Sequence, residues 1–248
     1  MKQDVSNDVT FLNIGNLPSN FFPYKGEFSE VNIRPFLVSE LKLLSRAATL
    51  KDVTGVIKAV NMTIDVPVER LTIDDYFYIL MWHKLHSYPK TPLSVAWECI
   101  NKVPKNDEGF IVTDGTHTKI EPCKSPNAIL VNQADIDIVF LEEEPVIGAD
   151  FDYPRVNLLP ELIAVRDEPD YKFIINALKW IKHGNSLQEK IEFLESMAST
   201  EHLAEAEILN KTVVHGVRQY VTIKCSSCGA KSRKGLVLDP VNFFRPCF

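Results

Sequence analysis

The sequence predicts an α+β fold, in which helical regions and strand regions occupy different stretches of the chain. Apolar residues recur at the spacing of an amphipathic helix within residues 31–92 and again within 166–216. From Leu93 the period changes to two, which is typical of a half-buried strand, and it is twofold again after residue 217. Residues 1–30 contain glycine and proline turn signals and indicate an extended arm.

These patterns divide the chain into five segments. We expect an extended arm at 1–30, a helical region at 31–92, a small β-rich region at 93–165, a second helical region at 166–216 and a cysteine-bearing C-terminal β-hairpin at 217–248. We also expect the hairpin to pack with the β-rich region.

Three helices are predicted in the first helical region. Ser39 is a candidate N-cap for the first, and the second begins at Asp52. The third opens at Thr72 in the manner of a capping box and must end near Tyr88, because Pro89 follows.

The remaining elements follow from the same periodicities. The predicted strands are 93–99, 109–113, 118–123, 135–141, 217–224 and 234–239, and the predicted helices are 170–183, 186–196 and 200–214. Two of the strands resemble each other, since 94–99 and 220–225 both alternate and both end in a cysteine.

Charge and composition exclude several classes of protein. The net charge of −6 over 248 residues does not favour nucleic acid as a partner. The longest apolar run, Tyr76–Trp82, is far shorter than the roughly 20 residues of a membrane helix. The chain has an odd number of cysteines, five, and no secretion signal is visible. Reduced thiols in a cytosol are therefore favoured over a disulfide framework.

A candidate metal site begins with Cys225 and Cys228. Their C-x-x-C spacing, followed by Gly229, matches half of a tetrahedral zinc site. The candidates for the other ligands are Cys99, Cys123, Cys247 and His117. Cys99 and Cys123 complete a four-thiolate site if the two cysteine-ending strands are neighbours in one sheet. The alternative is that Cys225 and Cys228 are plain thiols on a hairpin.

Two other functions were weighed against the residues. The C-terminal hairpin is basic, so a zinc-ribbon regulator that binds nucleic acid is one alternative, although the acidic total charge opposes it. A cell-wall hydrolase is the second alternative. No phosphate-binding glycine loop, G-x-S-x-G elbow or H-E-x-x-H motif occurs, so we expect no enzymatic activity.

Several stretches, taken in order, resemble the baseplate hub assembly proteins of T-even-type contractile-tailed bacteriophages. They are Leu17–Tyr24, Val31–Phe36, Leu41–Ser45, Leu71–Leu80 and Ser87–Leu93, with Trp97–Cys99 and the ending Asp239–Phe244. In such relatives the strand after the Ser-Tyr segment often ends in its own C-x-x-C. Here Cys99 is followed by Ile-Asn-Lys, so the resemblance leaves Cys123 as the obvious substitute.

The resemblance implies a non-enzymatic subunit or assembly factor of the baseplate hub that acts through protein–protein contacts. Its expected partners are other hub, spike or tape-measure proteins, and its expected location is the host cytoplasm during assembly and the tail baseplate. Aromatic side chains often anchor interfaces. The candidate anchors are Phe21, Phe22, Tyr24, Phe243 and Phe244. Completion of the protein's own core is the alternative role for each.

Overall fold

The computed structural model describes residues 10–87, 93–113, 115, 119–131, 136–197, 200–236 and 240. The chain forms two compact units. The helical unit comprises 1–89, 138–217 and 239–248, and the ribbon unit comprises 90–137 and 218–238. Predicted positions outside the described residues are Tyr88, Pro89, His117, Thr118, Asp135, Asp239, Phe243, Phe244 and Cys247.

All seven described α-helices belong to the helical unit, which confirms the α+β class together with the strands below. They are α1 (Val38–Leu50), α2 (Val53–Asn61), α3 (Ile73–His86), α4 (Leu159–Val165), α5 (Ile175–Leu178), α6 (Leu187–Ser196) and α7 (Glu201–Thr212). Single 3₁₀ turns occur at Phe22–Tyr24, Val68–Arg70, Val156–Leu158 and Pro169–Tyr171.

The helix starts show which caps the sequence predicts correctly. Asp52 accepts a hydrogen bond from the Gly55 amide at 3.0 Å, and Thr72 accepts one from the Asp75 amide at 3.1 Å. The cap of α1 was predicted wrongly, because Ser39 lies inside the helix. The free amide of Leu37 is satisfied instead by the carboxylate of Glu40, at 2.6 Å.

All described strands pair as antiparallel two-stranded ribbons. The pairs are β1 (Leu12–Asn13) with β2 (Asn32–Ile33), β3 (Leu93–Glu98) with β6 (Pro126–Val131), β4 (Lys102–Lys105) with β5 (Lys119–Pro122), β7 (Ile138–Val139) with β8 (Gly216–Val217), and β9 (Tyr220–Lys224) with β10 (Lys231–Gly235).

Several predicted elements are shorter or different in the structure. The strand predicted at 109–113 is reduced to one bridge, between Ile111 and Lys105. The helix predicted at 170–183 is interrupted, and only Ile175–Leu178 is α-helical. Its continuation fails because the backbone near Ile181 pairs with another segment: the Asp152 amide donates to the Trp180 carbonyl at 2.8 Å. Helix α4 and strands β1, β2, β4 and β6 have no predicted counterparts. The strand predicted at 234–239 lies earlier in the chain, at Lys231–Gly235.

The arm segment that precedes α1 is fastened to α3 by a buried carboxylate. Asp75 accepts hydrogen bonds from the amide of Ser19 at 3.0 Å and from the hydroxyl of Tyr24 at 2.5 Å. Leu17 and Ser19 are fully buried. The arm therefore contributes to the core of the helical unit from both its apolar and its polar groups.

The ribbon unit has a much smaller core. Its buried cluster consists of Cys99, Val103, Cys123 and Cys225, with Ile111 and Cys228 packed against it. Because each sheet has only two strands, no sheet in the described part of this unit has a central strand with two hydrogen-bonded neighbours. Further buried apolar side chains of this unit include Val131, Val221, Ile223 and Leu236.

No helix within the described residues is both long enough and apolar enough to cross a membrane.

Candidate metal centre

The first half of the centre is built by two β-ribbons that meet at Cys99 and Cys123. Cys99 directly follows β3, and its amide donates to the Ser125 carbonyl at 3.0 Å. Cys123 directly follows β5, and its amide donates to the Asn101 carbonyl at 2.8 Å. The Lys124 amide closes the arrangement on the Cys99 carbonyl, at 2.8 Å. Two neighbouring backbone segments thereby supply the pair of thiols that a second C-x-x-C would otherwise supply.

The second half is the predicted turn between β9 and β10. The Cys225 amide donates to the Ala230 carbonyl at 2.9 Å, and the Gly229 amide donates to the Cys225 carbonyl at 3.0 Å. Gly229 adopts φ +71°, a conformation that glycine reaches without the steric cost of a side chain. The turn brings the thiols of Cys225 and Cys228 to one side.

The four sulfur atoms lie within 4.8 Å of one another. Cys99 Sγ and Cys228 Sγ are 3.7 Å apart, and Cys123 Sγ and Cys225 Sγ are 3.9 Å apart. A disulfide requires about 2.05 Å, so these are four free thiols. A tetrahedron of sulfurs at about 2.3 Å from a zinc ion has edges of about 3.8 Å. The donor set therefore fits a tetrahedral metal ion, and the four close cysteines can hold one.

Hydrogen bonding and burial shift the pKa values of Cys225 and Cys123 in opposite directions. A hydrogen bond from the Cys228 amide lowers the pKa of Cys225, which favours its thiolate. Burial raises the pKa of Cys123, because a thiolate loses hydration there. Two side-chain amides donate toward sulfur, from Asn127 to Cys225 at 3.6 Å and from Asn101 to Cys228 at 3.9 Å. A bound cation would offset the cost of burying negative sulfur.

The structure brings together Cys99, Cys123, Cys225 and Cys228, although the stated condition for this was wrong. Strands β3 and β9 do not share a sheet, because β3 pairs with β6 and β9 pairs with β10. Sequence reasoning also missed Asn101 and Asn127, since no motif marks a donor so distant in the chain.

The aromatic residues proposed as interface anchors lie in the helical unit as far as they are described. Phe21 and Phe22 are half-buried, and Phe22 packs against a core cluster that includes Trp180. Tyr24 is 2% exposed and stacks on Phe28 with ring centroids 4.2 Å apart. All three rings therefore pack against other residues of this chain. Their contact with a partner remains a prediction.

The family model described as T4 bacteriophage base plate protein matches residues 16–245 of this chain. The chain belongs to this family. The match also covers residues 100–238, where none of the segments that carry the sequence resemblance lies. This baseplate protein therefore has a structural or assembly role in the phage baseplate, where its contacts are with other baseplate proteins. No curated protein and no solved structure matches the chain.

Proposed function

We propose that this baseplate protein is a non-enzymatic subunit or assembly factor of the central hub, and that it works through protein–protein contacts. The family match is the observation that carries the proposal. The ordered segments that resemble hub assembly proteins support the assignment to the hub. The partners we propose are other hub, spike or tape-measure proteins, which the chain meets in the host cytoplasm during assembly.

An exposed apolar surface on the helical unit supports a contact role. Phe11, Val38 and Met62 are 44%, 69% and 48% exposed. Arg34 lies beside two of these residues, since its guanidinium is 5.8 Å from the Phe11 ring centroid and donates to the Met62 carbonyl at 2.6 Å. Arg34 also pairs at 2.8 Å with Glu40, which caps the helix that Val38 begins. Large apolar side chains gathered on a surface are typical of protein interfaces.

The contact role is tested by Val38→Asp in a phage whose own copy of the gene is inactivated. An aspartate at the first position of α1 is stabilised by the positive end of the helix dipole, so the fold is expected to persist. We expect fewer complete tails by electron microscopy. The matched control is Val146→Asp, at a 95% exposed position in the same unit. Normal tails with Val38→Asp would contradict the proposed surface, and tails assembled without any copy of the chain would contradict the function.

The four cysteines, in the same proposal, hold one structural zinc. Zinc is favoured over harder cations because all four donors are sulfur. The centre lies in the ribbon unit, whose small core makes an additional cross-link valuable. When bound, the metal supplies four bonds between ribbons that otherwise share few contacts.

Metal content of protein purified under reducing conditions tests the zinc assignment. We expect one equivalent in the wild type and a loss of stoichiometric zinc in Cys123→Ser and Cys228→Ser. Cys247→Ser is the control, because the described centre already has four ligands. Metal-free wild-type protein with an intact fold would contradict the assignment.

A further inference from the structure

Asn127, on β6, makes an unusually complete set of hydrogen bonds beside the cysteine centre. Its Oδ1 accepts from the Ser226 amide at 3.0 Å and from the Ser226 hydroxyl at 2.9 Å. Its Nδ2 donates to the Ser125 carbonyl at 2.8 Å and toward Cys225 Sγ at 3.6 Å. One side chain thus contacts the backbone beside the first cysteine pair and both the backbone and a ligand of the second.

These bonds cross between the two chain segments of the ribbon unit. Asn127 and Ser226 are 99 positions apart. Within the described parts of segments 93–131 and 220–236, every hydrogen bond that joins one segment to the other lies at the cysteine centre. They are Cys99–Cys228, Asn101–Cys228, Cys123–Cys225, Ser125–Ser227, Asn127–Cys225 and the two bonds from Ser226 to Asn127.

Only part of this connection depends on sulfur. The two bonds from Ser226 to Asn127 and the hydroxyl pair of Ser125 and Ser227, at 2.7 Å, involve no cysteine sulfur. The hydroxyl pair joins two rotatable groups. The Asn127 amide is planar and bonds a backbone N–H, so it fixes the direction of the turn more strictly. It is therefore the best placed group to hold the turn when no metal binds the thiols.

We propose that Asn127 is a positioning residue of the metal centre: it holds the Cys225–Cys228 turn beside Cys99 and Cys123 before the metal binds. It also donates its N–H to the Cys225 thiolate once the metal is bound. The inference rests on the proposed zinc site.

Two physical effects give Asn127 this role. Four thiolates around a divalent cation carry a net charge of −2, and N–H donors to sulfur stabilise that charge where water is excluded. A turn that is already held also loses less conformational entropy on binding than a free one does. Aspartate at this position would keep the acceptor oxygen, lose the donor and add a third negative charge.

The test compares Asn127→Ala and Asn127→Asp with wild type, using zinc alone as the ligand. We expect both variants to bind one equivalent, with a dissociation constant 10 to 100 times larger by chelator competition. Zinc transfer to a chromophoric chelator is expected to be faster. In the metal-free protein, amides of residues 220–236 are expected to exchange faster in Asn127→Ala than in wild type.

Asn106→Ala is the matched control. Asn106 belongs to the same unit and accepts from the Phe110 amide at 2.9 Å, but none of its hydrogen bonds involves sulfur. Its zinc affinity is expected to equal that of wild type.

The outcomes separate this inference from the zinc assignment. If the wild-type protein binds no zinc, both the zinc assignment and the role of Asn127 are contradicted. A wild type with one zinc, and an Asn127→Ala variant with unchanged affinity, transfer rate and exchange, overturns the inference alone. If Asn127→Ala does not fold, Asn127→Asp decides, because it keeps the acceptor oxygen for the Ser226 amide and removes the donor to Cys225. A lower zinc affinity supports the inference, and an unchanged affinity overturns it.

Discussion

The helical unit and the ribbon unit are stabilised in different ways. The helical unit buries apolar side chains from the arm, α2 and α3, among them Leu17, Val60 and Ile79, each fully buried. The ribbon unit consists of two-stranded ribbons, which are marginally stable in water unless something else packs against them. Its buried cluster is mostly cysteine. The helical unit is thus stabilised by apolar burial, and we expect the ribbon unit to depend in addition on a metal ion bound by its cysteines.

Buried polar groups show the same contrast. In the helical unit, His83 of α3 is fully buried, stacks on Phe36 at 3.9 Å and has an oxygen partner at each ring nitrogen. In the ribbon unit the buried polar atoms are mainly thiols facing thiols. Neutral thiols make weak hydrogen bonds, so they gain little from each other without a cation.

The largest effect is expected when the metal is removed, because only the ribbon unit should lose its protection from hydrogen exchange. We expect a strong chelator to expose the amides of 93–131 and 220–236 to hydrogen exchange, while those of α1 to α3 keep their protection. The size of the effect follows from structural zinc sites, which contribute roughly 10 kcal/mol or more to the folding of small domains. Exchange monitored by mass spectrometry, with and without chelator, measures both units in one experiment.

The chelation experiment has a clear opposite outcome. Equal protection of the ribbon unit with and without chelator would show that its apolar residues suffice. Added zinc is expected to restore protection in the wild type and not in Cys225→Ser, which excludes a nonspecific effect of the chelator.

Sequence patterns predicted the helical unit better than the ribbon unit for a physical reason. The starts of α2 and α3 depend on neighbours in the chain, and Asp52 and Thr72 mark them. The cysteine centre depends on pairing between distant strands. In the observed register Lys102 faces Pro122, which places Asn101 opposite Cys123. A shift of one residue would turn side chains to the other face, and no local signal sets this register.

The cysteines of the candidate site could therefore be predicted from the sequence, and the side chains that surround them could not. A C-x-x-C and two further cysteines are visible in the sequence, whereas Asn127 is one asparagine among many. Its importance arises only from the turn at Ser226 that folds beside it. The same limit explains the broken helix at 170–183, where pairing near Ile181 overrides a continuous helical pattern.

A smaller effect is expected from pH, through His83 in the helical unit. The Thr63 hydroxyl donates to the Val60 carbonyl at 2.6 Å, so its oxygen accepts the N–H of His83 Nε2 at 2.9 Å. Burial lowers the pKa of His83 to about 3, from about 6.5 when unfolded. Below pH 6.5, His83 therefore takes up a proton in the unfolded chain but stays neutral in the folded chain. The free energy of unfolding should fall by about 1.4 kcal/mol per pH unit below that value.

Urea unfolding followed by helical circular dichroism at pH 7, 6 and 5 measures this dependence. Glutamine at position 83 cannot titrate. In His83→Gln the free energy of unfolding should therefore change by about 2 kcal/mol less between pH 7 and pH 5 than it does in wild type. His86→Gln is the control, since His86 is exposed on the same helix. An unchanged slope in His83→Gln would mean that other groups cause the acid sensitivity of the helical unit.

An effect of similar size is expected from two buried tyrosines that differ in hydrogen bonding. Tyr24 donates to Asp75 and accepts from the Thr72 amide at 3.1 Å, whereas the Tyr76 hydroxyl is buried with no hydrogen-bond partner among the described residues. Tyr24→Phe leaves a carboxylate and an amide short of a partner, which costs about 1–3 kcal/mol. Tyr76→Phe removes an unsatisfied group and is expected to be neutral or stabilising. No loss of stability in Tyr24→Phe by urea unfolding would show that ring packing, and not the bond to Asp75, fastens the arm to α3.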